Sequence, residues 1–104
     1  MLTADGITEQ TRPIFKKYKV QKAILFGSFA RGRQSRKSDV DLILIQKTDK
    51  PYFKRFEGIL SELYKKIQGR DIEVFIYTPE ELDHIRHRSF IKCALEEGKV
   101  IYES

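Results

Sequence analysis

The chain has 104 residues, of which 40% are hydrophobic and 34% charged, and its formal net charge is +5. That length builds one core and excludes a catalytic domain joined to a separate substrate domain, while no apolar run approaches the roughly 20 residues that cross a bilayer. The positive balance points to a polyanionic partner, either a nucleic acid or a nucleoside triphosphate.

Thr8 to Tyr18 is expected to be helical, with Ile7, Ile14, Phe15 and Tyr18 as a partial apolar stripe and Pro13 either in a first turn or at a kink. Lys22 to Phe26 (KAILF) ends at Gly27 and reads as a buried strand entering a tight turn. Ser28 is placed to cap a short helix over Phe29 to Arg31, and Gly32 to Ser38 (GRQSRKS) is a polar, basic loop. Val40 to Ile45 (VDLILI) is a second strand, with Asp39, Asp41, Ile43 and Ile45 on one side and Val40, Leu42 and Leu44 on the other.

Phe53, Phe56, Ile59, Leu60, Leu63, Tyr64 and Ile67 recur every three or four positions before Gly69, the pattern of a helix with a core-facing stripe. Asp71 to Tyr77 (DIEVFIY) is a third strand carrying Asp71 and Glu73 on one face. Thr78-Pro79-Glu80-Glu81 opens a further helix as a capping box, Ser89 to Glu97 makes another that stops at Gly98, and Val100 to Tyr102 adds a last strand. Helices alternating with strands predict an α/β (α+β) architecture, a mixed sheet flanked by helices, in a single domain over residues 1–104. The lone Cys93 lies in the stripe of Phe90, Ile91, Ala94 and Leu95 and is expected in the core; it cannot form an internal disulfide, which suits a reducing cytoplasm. Met1 to Gly6 carries an acid and no apolar run, so no secretory signal is expected.

The chemistry concentrates between Gly27 and Asp41. A strand that ends in Gly-Ser presents backbone N–H groups and a hydroxyl, which can hold phosphate oxygens. The G-x-x-x-x-G spacing of Gly27 to Gly32 is that of a P-loop, but Arg33-Gln34 stands where Lys-Ser/Thr is required, so that reading fails. Asp39 and Asp41 flank Val40 and project from one face, close enough to share one or two divalent cations; magnesium takes hard oxygen ligands, often one or two carboxylates plus substrate phosphates. Alternatively Asp39 caps the turn with Ser38 while Asp41 pairs with a nearby base. Gly-Ser, a basic loop, Ser-Asp-x-Asp and a later strand bearing an acid together form a site for nucleotide transfer by two metal ions, which needs no histidine base. His84 and His87 lack a third ligand and read as surface residues, and the Phe/Tyr set from Tyr52 to Tyr64 reads as core before it reads as a base-stacking platform.

The run Gly27-Ser28-Phe29-Ala30-Arg31-Gly32, followed by Ser38-Asp39-Val40-Asp41-Leu42, resembles the signature of the polymerase-beta-like nucleotidyltransferases, and most closely their minimal nucleotidyltransferase (MNT) branch. The resemblance extends to Tyr77-Thr78-Pro79-Glu80-Glu81 and to Glu97-Gly98-Lys99-Val100-Ile101-Tyr102. It implies that Gly27 and Ser28 grip the triphosphate of ATP, that Arg31 contacts phosphate or braces the loop, and that Asp39 and Asp41 bind Mg2+ as two ions. The family's third acid, usually Asp, falls on Glu73, one methylene longer, with Asp71 on the same face as the other candidate.

The resemblance further implies a cytoplasmic enzyme that transfers AMP from Mg-ATP to a protein hydroxyl, acting as the MNT antitoxin of a HEPN ribonuclease toxin with which it forms a hetero-oligomer. The alternative is a binding module with a weakened site that inhibits its partner by complex formation alone. A nucleic-acid binder using Arg31, Arg33, Arg36 and Lys37 ranks last, because a purely basic surface has no need of Asp39 and Asp41 in its midst.

Overall fold

The computed structural model describes residues 2–104. Its elements in chain order are α1 (Ala4–Lys17), β1 (Lys22–Phe26), β2 (Val40–Ile45), a 3-10 turn (Tyr52–Lys54), α2 (Ile59–Lys66), β3 (Ile72–Tyr77), α3 (Pro79–Ile85), α4 (Ser89–Glu97) and β4 (Lys99–Glu103). The strands form one mixed sheet in the order β3-β2-β1-β4. β1 is antiparallel to β2 and β4, whereas β3 lies parallel to β2. A parallel neighbour needs a crossover, and α2 lies in that connection. Among the described residues no helix is long and apolar enough to cross a membrane.

Side chains alternate across the sheet, so each strand feeds two packed clusters. Ala23 and Leu25 of β1, Val40, Leu42 and Leu44 of β2, and Ile72 and Ile76 of β3 pack with Ile7, Ile14 and Phe15 of α1 and Ile59 and Leu63 of α2. On the opposite face, Ile24, Phe26 and Ile43 meet Ala94 of α4, with Phe75, Tyr77 and Leu95 partly buried around them. The first face is covered by α1 and α2; the second is only half roofed.

Three elements depart from expectation. α1 begins at Ala4 because Thr3 caps it, its hydroxyl accepting from Gly6 N at 3.1 Å, so Pro13 falls in the helix interior and not in a first turn. Its missing N–H would have met the carbonyl of Glu9, and both residues are exposed, where water replaces the bond. The stretch Phe29 to Arg31 is a wound turn and not a helix.

The apolar spacing from Phe53 to Ile67 does not make one helix either. Gly58 sits at φ +82, where a helix cannot continue, and α2 starts only at Ile59. Phe53 is therefore left 73% exposed, and Tyr52 and Tyr64 are also at the surface instead of in the core. The glycine is required twice over, since a Cβ there would lie 2.6 Å from the Tyr18 hydroxyl oxygen.

Arg55, in the same segment, is buried. Its guanidinium donates to Lys50 O and Ile76 O, both at 3.0 Å, and to both carboxylate oxygens of Glu81 at 2.6 and 2.9 Å. Glu81 also closes the expected capping box with Thr78, so one carboxylate anchors the start of α3 and neutralises a buried cation. The Arg55 hydrogen bond holds the Glu81 carboxyl down at about 2. The outer edge of β3 is finished by side chains, with the Tyr64 hydroxyl spanning Ile72 N and O and Arg55 taking Ile76 O.

Gly58→Ala is expected to lower stability by about 2 kcal/mol or more, from the left-handed φ and the crowding against Tyr18. Urea unfolding monitored by circular dichroism measures this; a midpoint equal to that of the parent at equal slope would refute it.

Candidate active site

The site is built at the end of β1. Phe26 is opposite Asp41 across the antiparallel pair, and Asp41 is opposite Glu73 across the parallel pair, so the three side chains form one row on the half-roofed face. Immediately after Phe26 the chain turns at Gly27 with φ +75, and a Cβ there would run into the Asp41 carboxylate. Glycine is needed for both the backbone angle and the contact. The turn is closed by Arg31 N donating to Gly27 O at 3.2 Å and Arg33 N to Ser28 O at 2.9 Å, and pinned from below by buried Phe29. Among the described residues, no acceptor meets the N–H groups of Ser28, Phe29 and Ala30, which open the turn.

The basic loop that follows is held by a residue the sequence did not single out. Arg70 donates from Nη1 to Ser35 O and Ser38 O, both at 2.9 Å, and its guanidinium lies 5.1 Å from the centre of the Phe29 ring. Nothing in a lone arginine after Gly69 marks it as a clamp; the contact exists only because β3 brings residue 70 alongside residue 38.

Of the predicted acids, the structure brings Asp41 and Glu73 together. They are opposite each other across the β2–β3 pair, and Asp41 is pushed up to about 6. Burial is the largest cause, followed by the negative charges of Glu73 and Asp39, with Arg31 opposing them. Asp39 stays exposed at the rim, where it lines a shallow cleft with Asp71, Arg36, Lys37 and Arg70. Asp71 does not join the row: its carbonyl accepts from Val40 N at 3.0 Å and its side chain is exposed. Among the described residues no group of three or more His, Cys, Asp and Glu side chains is gathered closely enough to hold a metal ion. His84 and His87 are exposed.

Gly27, Ser28 and Arg31 are all at the turn. Arg31 reaches across to Glu97 of α4, its Nη1 3.3 Å from the carboxylate. Cys93 is a correction: it is exposed, with its thiol 3.5 Å from the same Glu97 oxygen. Ile91 and Ala94 are the buried pair of α4, and Cys93 lies two residues, about 200° of rotation, beyond Ile91. Because α4 packs mainly on β1, only a narrow stripe of it is covered, and position 93 falls outside that stripe.

A mixed sheet with a Gly-Ser turn at one strand end and a carboxylate pair on the neighbouring strands defines the nucleotidyltransferase class. The chain belongs to the family described as "Polymerase beta, Nucleotidyltransferase", which matches residues 9–104. It is 32% identical to the "Putative protein adenylyltransferase MJ0604" of Methanocaldococcus jannaschii over 99 residues, covering 93% of this chain and 95% of that protein. It is 33% identical to a second protein of that description and organism, MJ1379, covering 81% of this chain and 78% of that protein. The fold superposes on a chain of a toxin-antitoxin crystal structure with AMP-PNP at TM-score 0.67 and 20% identity, covering 93% of this chain and 73% of that one. A mutant of the toxin-antitoxin MntA-HpeT superposes at TM-score 0.66 and 18% identity over the same shares.

The raised Asp41 value sets a pH dependence. Between its ordinary value of 3.8 and about 6 the folded state holds a proton that the unfolded chain releases. Stability from this group is therefore full below pH 4, falls as pH rises through 6, and is flat above. Asp41→Asn, which is uncharged at both pH values, is expected to be more stable than the parent at pH 8 and equal to it at pH 4 in metal-free buffer. Denaturant unfolding at the two pH values tests this, and a stability difference that does not change with pH would contradict it.

Proposed function

We propose that this protein transfers AMP from Mg-ATP to a hydroxyl of a partner protein, a HEPN-type toxin that it neutralises. The observation that carries the reading is the row Phe26, Asp41, Glu73 beside the Gly27 turn. Triphosphate recognition falls to that turn, where free N–H groups, the Ser28 hydroxyl and the Arg31 guanidinium converge. The donor set fits a hard divalent cation: Asp41 and Glu73 are adjacent oxygen donors on neighbouring strands, and Asp39 stands at the rim to add a third carboxylate. When bound there, magnesium supplies Lewis acidity to the α-phosphate and counter-charge to the departing pyrophosphate.

The remaining work belongs to the chain. The acceptor oxygen bonds to the α-phosphorus as the bond to the bridging oxygen breaks and pyrophosphate leaves, and Glu73, the exposed member of the row, is the carboxylate assigned to take the acceptor's proton. The half-roofed face lets a macromolecular hydroxyl approach these acids. Support for adenylyl transfer comes from the relatives' descriptions, and support for a toxin partner from the toxin-antitoxin structures that share the fold.

A second reading is occlusion without catalysis. It is favoured by the absence of a gathered three-acid cluster among the described residues. One experiment separates the two. Incubated with Mg-ATP and the protein encoded beside it, the parent should add one AMP to that partner by intact mass spectrometry. The Asp39→Asn, Asp41→Asn double variant should lose the transfer by at least about a hundredfold and EDTA should abolish it. An unmodified partner that is nonetheless neutralised equally by both forms would leave occlusion as the function.

A further inference from the structure

We propose that Glu97 is a positioning residue for nucleotide binding: its carboxylate, delivered by the last turn of α4, holds the Arg31 guanidinium at the mouth of the Gly27 turn in the orientation that receives a triphosphate. This rests on the reading of that turn as the triphosphate site, and it assigns a role to a residue 66 positions away from Arg31 in the chain.

Local physics gives no reason for an acid at this position. Glu96 and Glu97 end a helix whose last turn contains no basic residue, so their charges sit at the negative pole of the helix. What compensates Glu97 is tertiary: Arg31 Nη1 lies 3.3 Å away, and the Cys93 thiol donates to the same oxygen. Placement is set by Gly98. A Cβ on Gly98 would come within 2.5 Å of both Ala94 O and the Ile24 side chain, so only glycine lets the end of α4 lie this close to β1.

Arg31 needs such a holder. It is exposed, and a free arginine side chain has rotamer freedom that binding must remove. Arg31 and Glu97 together line one side of an open pocket of about 220 Å3 between the turn and α4, with Phe26, Gly27, Phe90 and Ala94 on the others, so an unrestrained guanidinium has room to move. Glu97 occupies one N–H of the five that a guanidinium carries, leaving the others for phosphate oxygens. The opposing effect is repulsion between Glu97 and the triphosphate. Both side chains of the pair are about half exposed, so solvent and salt screen that repulsion, whereas the orienting contact is short-ranged and is kept.

Isothermal titration of Mg-ATP into the parent, Glu97→Ala, Glu97→Gln, Arg31→Ala and the Arg31→Ala, Glu97→Ala double variant tests the proposal, with circular dichroism confirming that each remains folded. Glu97→Ala should weaken binding by about tenfold, as loss of a residue that orients a ligand-binding group does, while Glu97→Gln, which keeps an acceptor for Arg31, should recover most of it. In the Arg31→Ala background, removing Glu97 should cost nothing further. In transfer assays KM for Mg-ATP should rise and kcat stay within about twofold. Unchanged or tighter binding by Glu97→Ala, or additive losses in the double variant, overturns the role. Because the titration needs no acceptor, intact Mg-ATP binding without AMP transfer sinks only the proposed activity; a parent that does not bind Mg-ATP sinks both.

Discussion

The register between β1 and β2 is the constraint on which the site depends. Phe26 faces Asp41, and this places the Gly27 backbone against the Asp41 carboxylate. The turn and the acid are thus one packed unit. A slip of one residue would turn Asp41 into the cluster formed by Val40, Leu42 and Leu44 with α1 and α2, exchanging apolar side chains for a charge in a dry core. The alternation of apolar residues along β2 therefore fixes where the carboxylate points, and the core that makes the chain fold also aims its chemistry.

The two faces of the sheet are covered unequally, and the candidate site lies on the thinner side. Parallel strands are ordinarily buried on both faces, yet β3 shows Glu73 to solvent and Phe75 and Tyr77 only partly covered. The rings compensate by packing on one another: Phe75 stacks with Tyr77 at an interplanar angle of 11°, and Phe90 of α4 meets Phe26 and Phe75 edge-on. This aromatic strip continues from the acids along the same face, so the uncovered half of the sheet keeps its form without a helix over it and leaves an approach to Asp41 and Glu73. The edge of β3 is closed by Tyr64 and Arg55, which removes the competing mode of association, strand addition.

How far the sequence carried the structure depended on the range of the forces involved. β1 and β2 end where expected because short apolar runs stop at Gly27 and Gln46, and the capping box at Thr78 is a contact between residues three apart. Alternation put Asp39 with Asp41 on one side of β2 and Asp71 with Glu73 on one face of β3, but the pairing of Asp41 with Glu73 is set by the register between the strands. The apolar spacing from Phe53 to Ile67 carried no mark of the break at Gly58, because the Tyr18 hydroxyl that occupies the space of its Cβ comes from the end of α1. Cys93 matched an apolar pattern, but burial depends on what α4 packs against, which its own sequence does not contain. Arg55, Arg70 and Glu97 act through partners at least twenty residues away, and no local pattern marks them.

Charge placement ties these features together. In a chain with a net charge of +5, neither Asp41 nor Glu73 has an ion-pair partner among the described residues, and Arg31, which favours the ionised Asp41, is itself paired with Glu97. A permanent lysine between Asp41 and Glu73 would have stabilised the fold at neutral pH and filled the position for good. Leaving the pair short of positive charge costs stability in the free protein. The excess of basic residues lies elsewhere, including the loop from Arg31 to Lys37, so the positive field of the chain stands beside the acids without quenching them.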